Sequence, residues 1–131
     1  MRKWGILSAC LPILVSGVAL AGVVPARYLD EQRCLAVLNI AAAAFETLEE
    51  QGPAEQALRK DVADGYDQLK ILVAGERGLT PQQVERGLDA FDSEQEHWIA
   101  AFGDSNEEPA RHVVVEALMK KAHHCIKALP G

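Results

Sequence analysis

The residues of this 131-residue chain best suited to chemistry are three cysteines, four histidines and a run of carboxylates. None of them forms a recognisable catalytic set. Cys34 and Cys125 belong to no Cys-x-x-Cys, so thiol–disulfide redox chemistry is not expected. No Cys-x-x-Cys-His is present for covalent haem. Glu94-Gln95-Glu96-His97 has the Glu-x-x-His spacing of di-iron bundles, but those sites need two such motifs and two further inward glutamates. One copy predicts no metal centre. His123 and His124 are adjacent, and neighbours on a helix diverge by about 100°, so they do not converge on one point. His112 stands alone. Met119 follows the inward-facing Leu118 and so points away from any haem held in the core. Beyond residue 26 the only serines are Ser93 and Ser105. No Gly-x-Ser-x-Gly or phosphate-cradling glycine loop accompanies them. The chain therefore reads as a non-enzyme with no cofactor.

Four carboxylates carry the one usable pattern. Glu85, Asp89, Asp92 and Glu96 recur at spacings of 4, 3 and 4 and so share one helix face. Asp61, Asp64 and Asp67 add charge on the preceding helix. Such a stripe is ordinarily a solvated face. As a functional surface it suits a basic protein partner, and these four residues are the candidate partner-binding site.

The amino terminus sets the compartment. Arg2 and Lys3 precede Trp4 to Ala26, a stretch of 23 residues without a charge. Pro12 and Gly17 make it a poor spanning helix. Ala19-Leu20-Ala21 has the small-x-small pattern of a signal peptidase site, and Val24-Pro25-Ala26 offers a second. Residues 1–26 are read as a cleaved signal peptide, with cleavage after residue 21 as the alternative. Leu7-Ser8-Ala9-Cys10 has lipobox order, but the apolar run continues past Cys10, so lipidation is not expected. Residues 27–131 then form one domain.

Removing residues 1–26 leaves eleven basic and nineteen acidic side chains, a net charge of −8. Nucleic acid and anionic lipid are excluded as partners by that charge, and no membrane role is expected after cleavage. Cys10 leaves with the signal. The remaining pair, Cys34 and Cys125, meets an oxidising compartment and is expected to bridge.

Four helices must position these groups. The first is predicted over 28–51, ending at Gly52-Pro53. The second spans 53–74 and stops at Gly75. Thr80-Pro81-Gln82-Gln83 reads as a capped start: threonine cap, proline at the first position, glutamine three residues on. The third helix runs to Phe102, with Gly103 as a left-handed terminator. The fourth is capped by Asn106, carries Pro109 in its first turn and runs through Leu129. Inward seams follow from apolar spacing. They are Cys34, Leu38, Ala41, Phe45 and Leu48; then Leu58, Val62, Gly65, Leu69 and Leu72. The third is Val84, Leu88, Phe91, Gln95, Trp98 and Phe102; the fourth is Leu118, Ala122, Cys125 and Leu129. The fold class is all-α, an up-down-up-down four-helix bundle with one disulfide joining the first and last helices. Gly65, costly inside a helix, is expected to make room for a ring such as Trp98 or Phe91.

Leu79-Thr80-Pro81-Gln82-Gln83 resembles the Leu-Thr-x-x-Gln motif of small helical periplasmic chaperones and stress-response proteins. The resemblance covers five residues, and this chain carries the motif once where those families carry it twice. It implies client-protein binding as an alternative function and identifies no site residue. A metal- or haem-binding bundle is the other alternative. The leading expectation is an exported, periplasmic or secreted interaction protein without enzymatic activity.

Overall fold

The structure, a computed structural model, describes residues 23–46, 52–104, 107 and 109–130. Those residues form four helices and no strand. They are α1 (Ala26–Glu46), α2 (Pro53–Ala74), α3 (Pro81–Asp104) and α4 (Ala110–Lys127). Most of the expected signal segment, Cys10, Leu48, Ser105 and Asn106 lie outside the described residues. No described helix is long and apolar enough to cross a membrane.

Helix α1 is the centre of the molecule. It packs on all three other helices, most extensively on α3 and α2, while α4 also touches α2 and α3. Among the described residues, no Cα of α2 comes within 8 Å of a Cα of α3. The cause lies in the composition of α1. From Cys34 to Phe45 it has no charged residue, and Asn39 is its only strongly polar one. Ala36, Val37 and Leu38 are consecutive and all fully buried. Three successive residues sweep about 200° of a helix, so more than one face of α1 is covered. Single-seam reading of α1 therefore undercounts its burial.

The core gathers Leu38, Phe45, Val62, Leu69, Trp98 and Leu118 around this helix. A buried leucine or phenylalanine contributes about 1.5–3 kcal/mol. Asn39 finds a partner in Gln95, whose Oε1 accepts its Nδ2–H at 3.1 Å. The Trp98 indole N–H donates to Glu94 Oε2 at 2.8 Å. The expected polar seam position on α3 is thereby satisfied from α1.

Cys34 and Cys125 form the disulfide, with Cα atoms 5.6 Å apart across 91 positions of sequence. Cys125 is buried and Cys34 half-buried. The bridge ties the N-terminal half of α1 to the last turn of α4.

Several local expectations change. Gly103 is helical and α3 continues through it to Asp104. The left-handed residue is Gly78 instead, with φ 78°, in the turn before α3. Helix α4 ends at Lys127, and Pro109 stands at its N-cap rather than inside the first turn. On α3 the C-terminal half of the expected seam holds: Phe91, Gln95, Trp98 and Phe102 turn inward. The N-terminal half is displaced by one residue. Gln83 and Gly87 are buried, whereas Val84 is 38% and Leu88 53% exposed.

Gly87 and Gln83 explain that displacement. A Cβ at Gly87 would collide with the Tyr28 ring, lying 2.8 Å from its Oη. The missing side chain lets α3 close over a buried tyrosine. Tyr28 Oη in turn accepts from the Gln32 side-chain amide at 3.2 Å. Gly65 behaves differently: a Cβ there would meet Ile126, Leu129 and Leu38 at 3.4–3.5 Å. Its neighbours are aliphatic chains, not the aromatic rings expected.

Candidate functional site: the acidic face of α3 and the disulfide end of the bundle

The start of α3 is built by its capping residues. Gln83 N–H donates to Thr80 Oγ1 at 3.1 Å, and Thr80 N–H donates to Gln83 Oε1 at 2.8 Å. This is a reciprocal capping box, as the spacing predicts. Gln83 has a further use. Its Nε2 donates to the carbonyl of Val23 at 2.7 Å, tying the segment before α1 to α3. In this chain the glutamine of the Leu-Thr-x-x-Gln stretch is thus a buried structural clamp.

From that start the helix presents Glu85, Asp89, Asp92 and Glu96 to solvent, all four exposed. The helix phase places this stripe opposite Gln83, Gly87 and Trp98. None of the four forms an ion pair among the described residues. Asp61, Asp64 and Asp67 of α2 are exposed as well; Asp64 pairs with Lys60 one turn earlier. An unpaired row of carboxylates on a rigid helix creates a negative field that attracts cationic groups.

The histidines do not join a site. His97, His112, His123 and His124 are exposed, and His97 meets Trp98 edge-on with centroids 5.1 Å apart. Met119 is half-buried against the core. No group of three or more histidine, cysteine or acidic side chains converges as a metal site among the described residues.

A second feature has no evident sequence signal. Beside the disulfide lies a half-open cavity of about 440 Å³, with Leu69, Leu72 and Leu129 on its apolar wall and Asp30 and Glu31 at its acidic edge. Arg27 grips Glu76 through two hydrogen bonds of 2.7 and 2.9 Å. Its Nε lies 3.8 Å from Glu31 Oε2. Glu31 is consequently brought against Glu76, and its Oε1 is buried without a hydrogen-bond partner. Burial pushes the Glu31 carboxyl above the usual carboxylate range, and the adjacent Glu76 adds to the rise; Arg27 opposes both. Only the tertiary meeting of residues 31 and 76 creates this pair.

Comparison of the chain with protein-family models, with curated proteins and with solved structures finds no match.

Proposed function

We propose that this chain is an exported, non-enzymatic interaction protein whose outer α3 face engages a basic protein. The observation that carries the reading is the unpaired acidic stripe of Glu85, Asp89, Asp92 and Glu96. A surface helix normally mixes charge signs and gains from i, i+4 pairs of opposite charge. Here the carboxylates repeat at that spacing and repel one another. A cationic partner would relieve that repulsion.

Export is supported by the basic head and uncharged run of residues 1–26 and by the disulfide, which suits an oxidising compartment. In this reading the helices alternate in direction. Arg27 meets Glu76 and Cys34 meets Cys125, as antiparallel neighbours of α1 require. Tyr28 against Gly87 and Asn39 against Gln95 run in the same order, as α1 and α3 would in an up-down-up-down bundle.

The test is capture from a periplasmic extract by the mature chain and by the fourfold variant Glu85→Gln, Asp89→Asn, Asp92→Asn, Glu96→Gln. A partner retained by the wild type at low salt, released at high salt and not held by the variant is the expected outcome. Equal capture by both proteins would overturn the assignment of this face.

A further inference from the structure

The separation of the α2 and α3 backbones leaves a cleft over α1. Its floor is Gln32 and Leu35, and its walls are Tyr66 and Val73 of α2 and Leu88 and Phe91 of α3. The cleft has a volume of about 360 Å³. Its two rims differ in charge. On α2, Lys70 lies over the Tyr66 ring at 5.3 Å and places a positive charge at that edge. On α3, Val84, Leu88 and Ile99 form an exposed apolar flank; Leu88 is 53% and Ile99 55% exposed. By helix phase this flank lies roughly 80° from the acidic stripe, on the side turned toward the cleft. Apolar cleft, apolar flank and carboxylate row therefore follow one another across the surface of α3.

We propose that the cleft between α2 and α3 receives an amphipathic helix of a basic partner. The helix would lay its apolar residues on Leu35, Leu88 and Phe91 and its lysines or arginines over Glu85, Asp89 and Asp92. This is helix-in-groove recognition, read through anchors at i, i+3, i+4 and i+7. The inference rests on the α3 face being the partner surface and adds the apolar half of the contact.

Charge selects this occupant over the others available. A second copy of the chain would bring the same acidic row against the first, and each mature chain carries a net charge of −8. The apolar segment 4–26 of this chain has no charge to meet the carboxylates. A basic amphipathic helix matches both surfaces. The Lys70 rim fixes its orientation by directing its cationic face toward α3.

The test uses the mature chain and three synthetic probes of about fourteen residues. One is a leucine–lysine peptide in amphipathic helical order. The second has the same composition in scrambled order, and the third is oligolysine. Titration calorimetry should show the amphipathic peptide binding about tenfold or more tightly than the scrambled one. Leu88→Asp should weaken that binding by at least about tenfold, although it adds a negative charge that would strengthen simple electrostatic attraction. Leu88 is half-exposed, so the substitution leaves the core intact. Amide chemical-shift changes at Leu35, Leu88 and Phe91 of the wild type give an independent readout. If all three probes bind alike and Leu88→Asp has no effect, the cleft is not the docking site, while the acidic-face reading stands. If no basic probe binds the wild type, both fall.

Discussion

Glu31 shows how one side chain acquires a property from its neighbours. It lies on the first turns of α1, where an exposed glutamate would titrate normally. Folding places it against Glu76, its side chain only 13% exposed and one oxygen without a donor. The folded carboxyl holds its proton to higher pH than the unfolded chain does. In the window between the ordinary glutamate value and the raised one, folding takes up a proton. Stability therefore falls as pH rises through that window and stays lowered above it. Glu31→Gln supplies an N–H donor toward Glu76 and removes the like-charge contact. It should stabilise the protein by about 1 kcal/mol at neutral pH. That gain should shrink toward zero as pH falls below the ordinary glutamate range. Urea denaturation of both proteins across pH measures the difference; a gain that is constant with pH would show that Glu31 does not titrate with a raised pKa.

At the scale of elements, two helical glycines that look alike in sequence have opposite roles. Gly87 is the point where α3 rides over the Tyr28 ring of α1, and a methyl group there has no room. Gly65 faces aliphatic side chains at ordinary contact distance. Gly87→Ala should therefore destabilise by about 1–3 kcal/mol through overpacking. Gly65→Ala should be neutral or stabilising by up to about 1 kcal/mol through helix propensity. Thermal denaturation of the two variants side by side checks this, and equal effects would contradict the packing assigned to α1 and α3. The same close approach accounts for the displaced seam. The spacing of Val84 and Leu88 with Phe91 fits an inward stripe, but Gly87 lets the backbone approach Tyr28. Helix α3 is thereby rotated so that Gln83 and Gly87 turn inward. Gly87 lies one residue off the Val84, Leu88 and Phe91 spacing, so periodicity alone passes over it.

At the scale of the whole molecule, the bridge between Cys34 and Cys125 closes a loop across 91 positions. Restricting the unfolded chain to that loop is worth about 4–5 kcal/mol on the chain-entropy account. The double variant Cys34→Ala, Cys125→Ala should lose stability on that order. Its denaturation midpoint, measured under non-reducing conditions beside the wild type, tests this. A loss below about 1 kcal/mol would mean that the bridge restricts the unfolded chain little. The tie also bears on the cleft. It fastens α4 to α1, the helix on which α2 and α3 both pack, while the backbones of α2 and α3 stay more than 8 Å apart between Cα atoms.

Helix number, most boundaries, the partnership of two distant cysteines and the capping box at Thr80 were legible in the residues themselves. Each depends on short-range chemistry: apolar spacing, the punctuation of Gly52-Pro53 and Thr80-Pro81, or the presence of only two cysteines beyond residue 26. The acidic stripe was legible for the same reason, since residues three and four apart share a helix face. Tertiary structure alone decided which helices touch. The uncharged run from Cys34 to Phe45 was the available hint that α1 is central, but a single-seam pattern hides it. The Glu31–Glu76 pair, the Tyr28–Gly87 contact and the cleft between α2 and α3 depend on how whole helices pack. Local sequence does not encode the angle at which one helix crosses another; the fit of all their side chains together sets it.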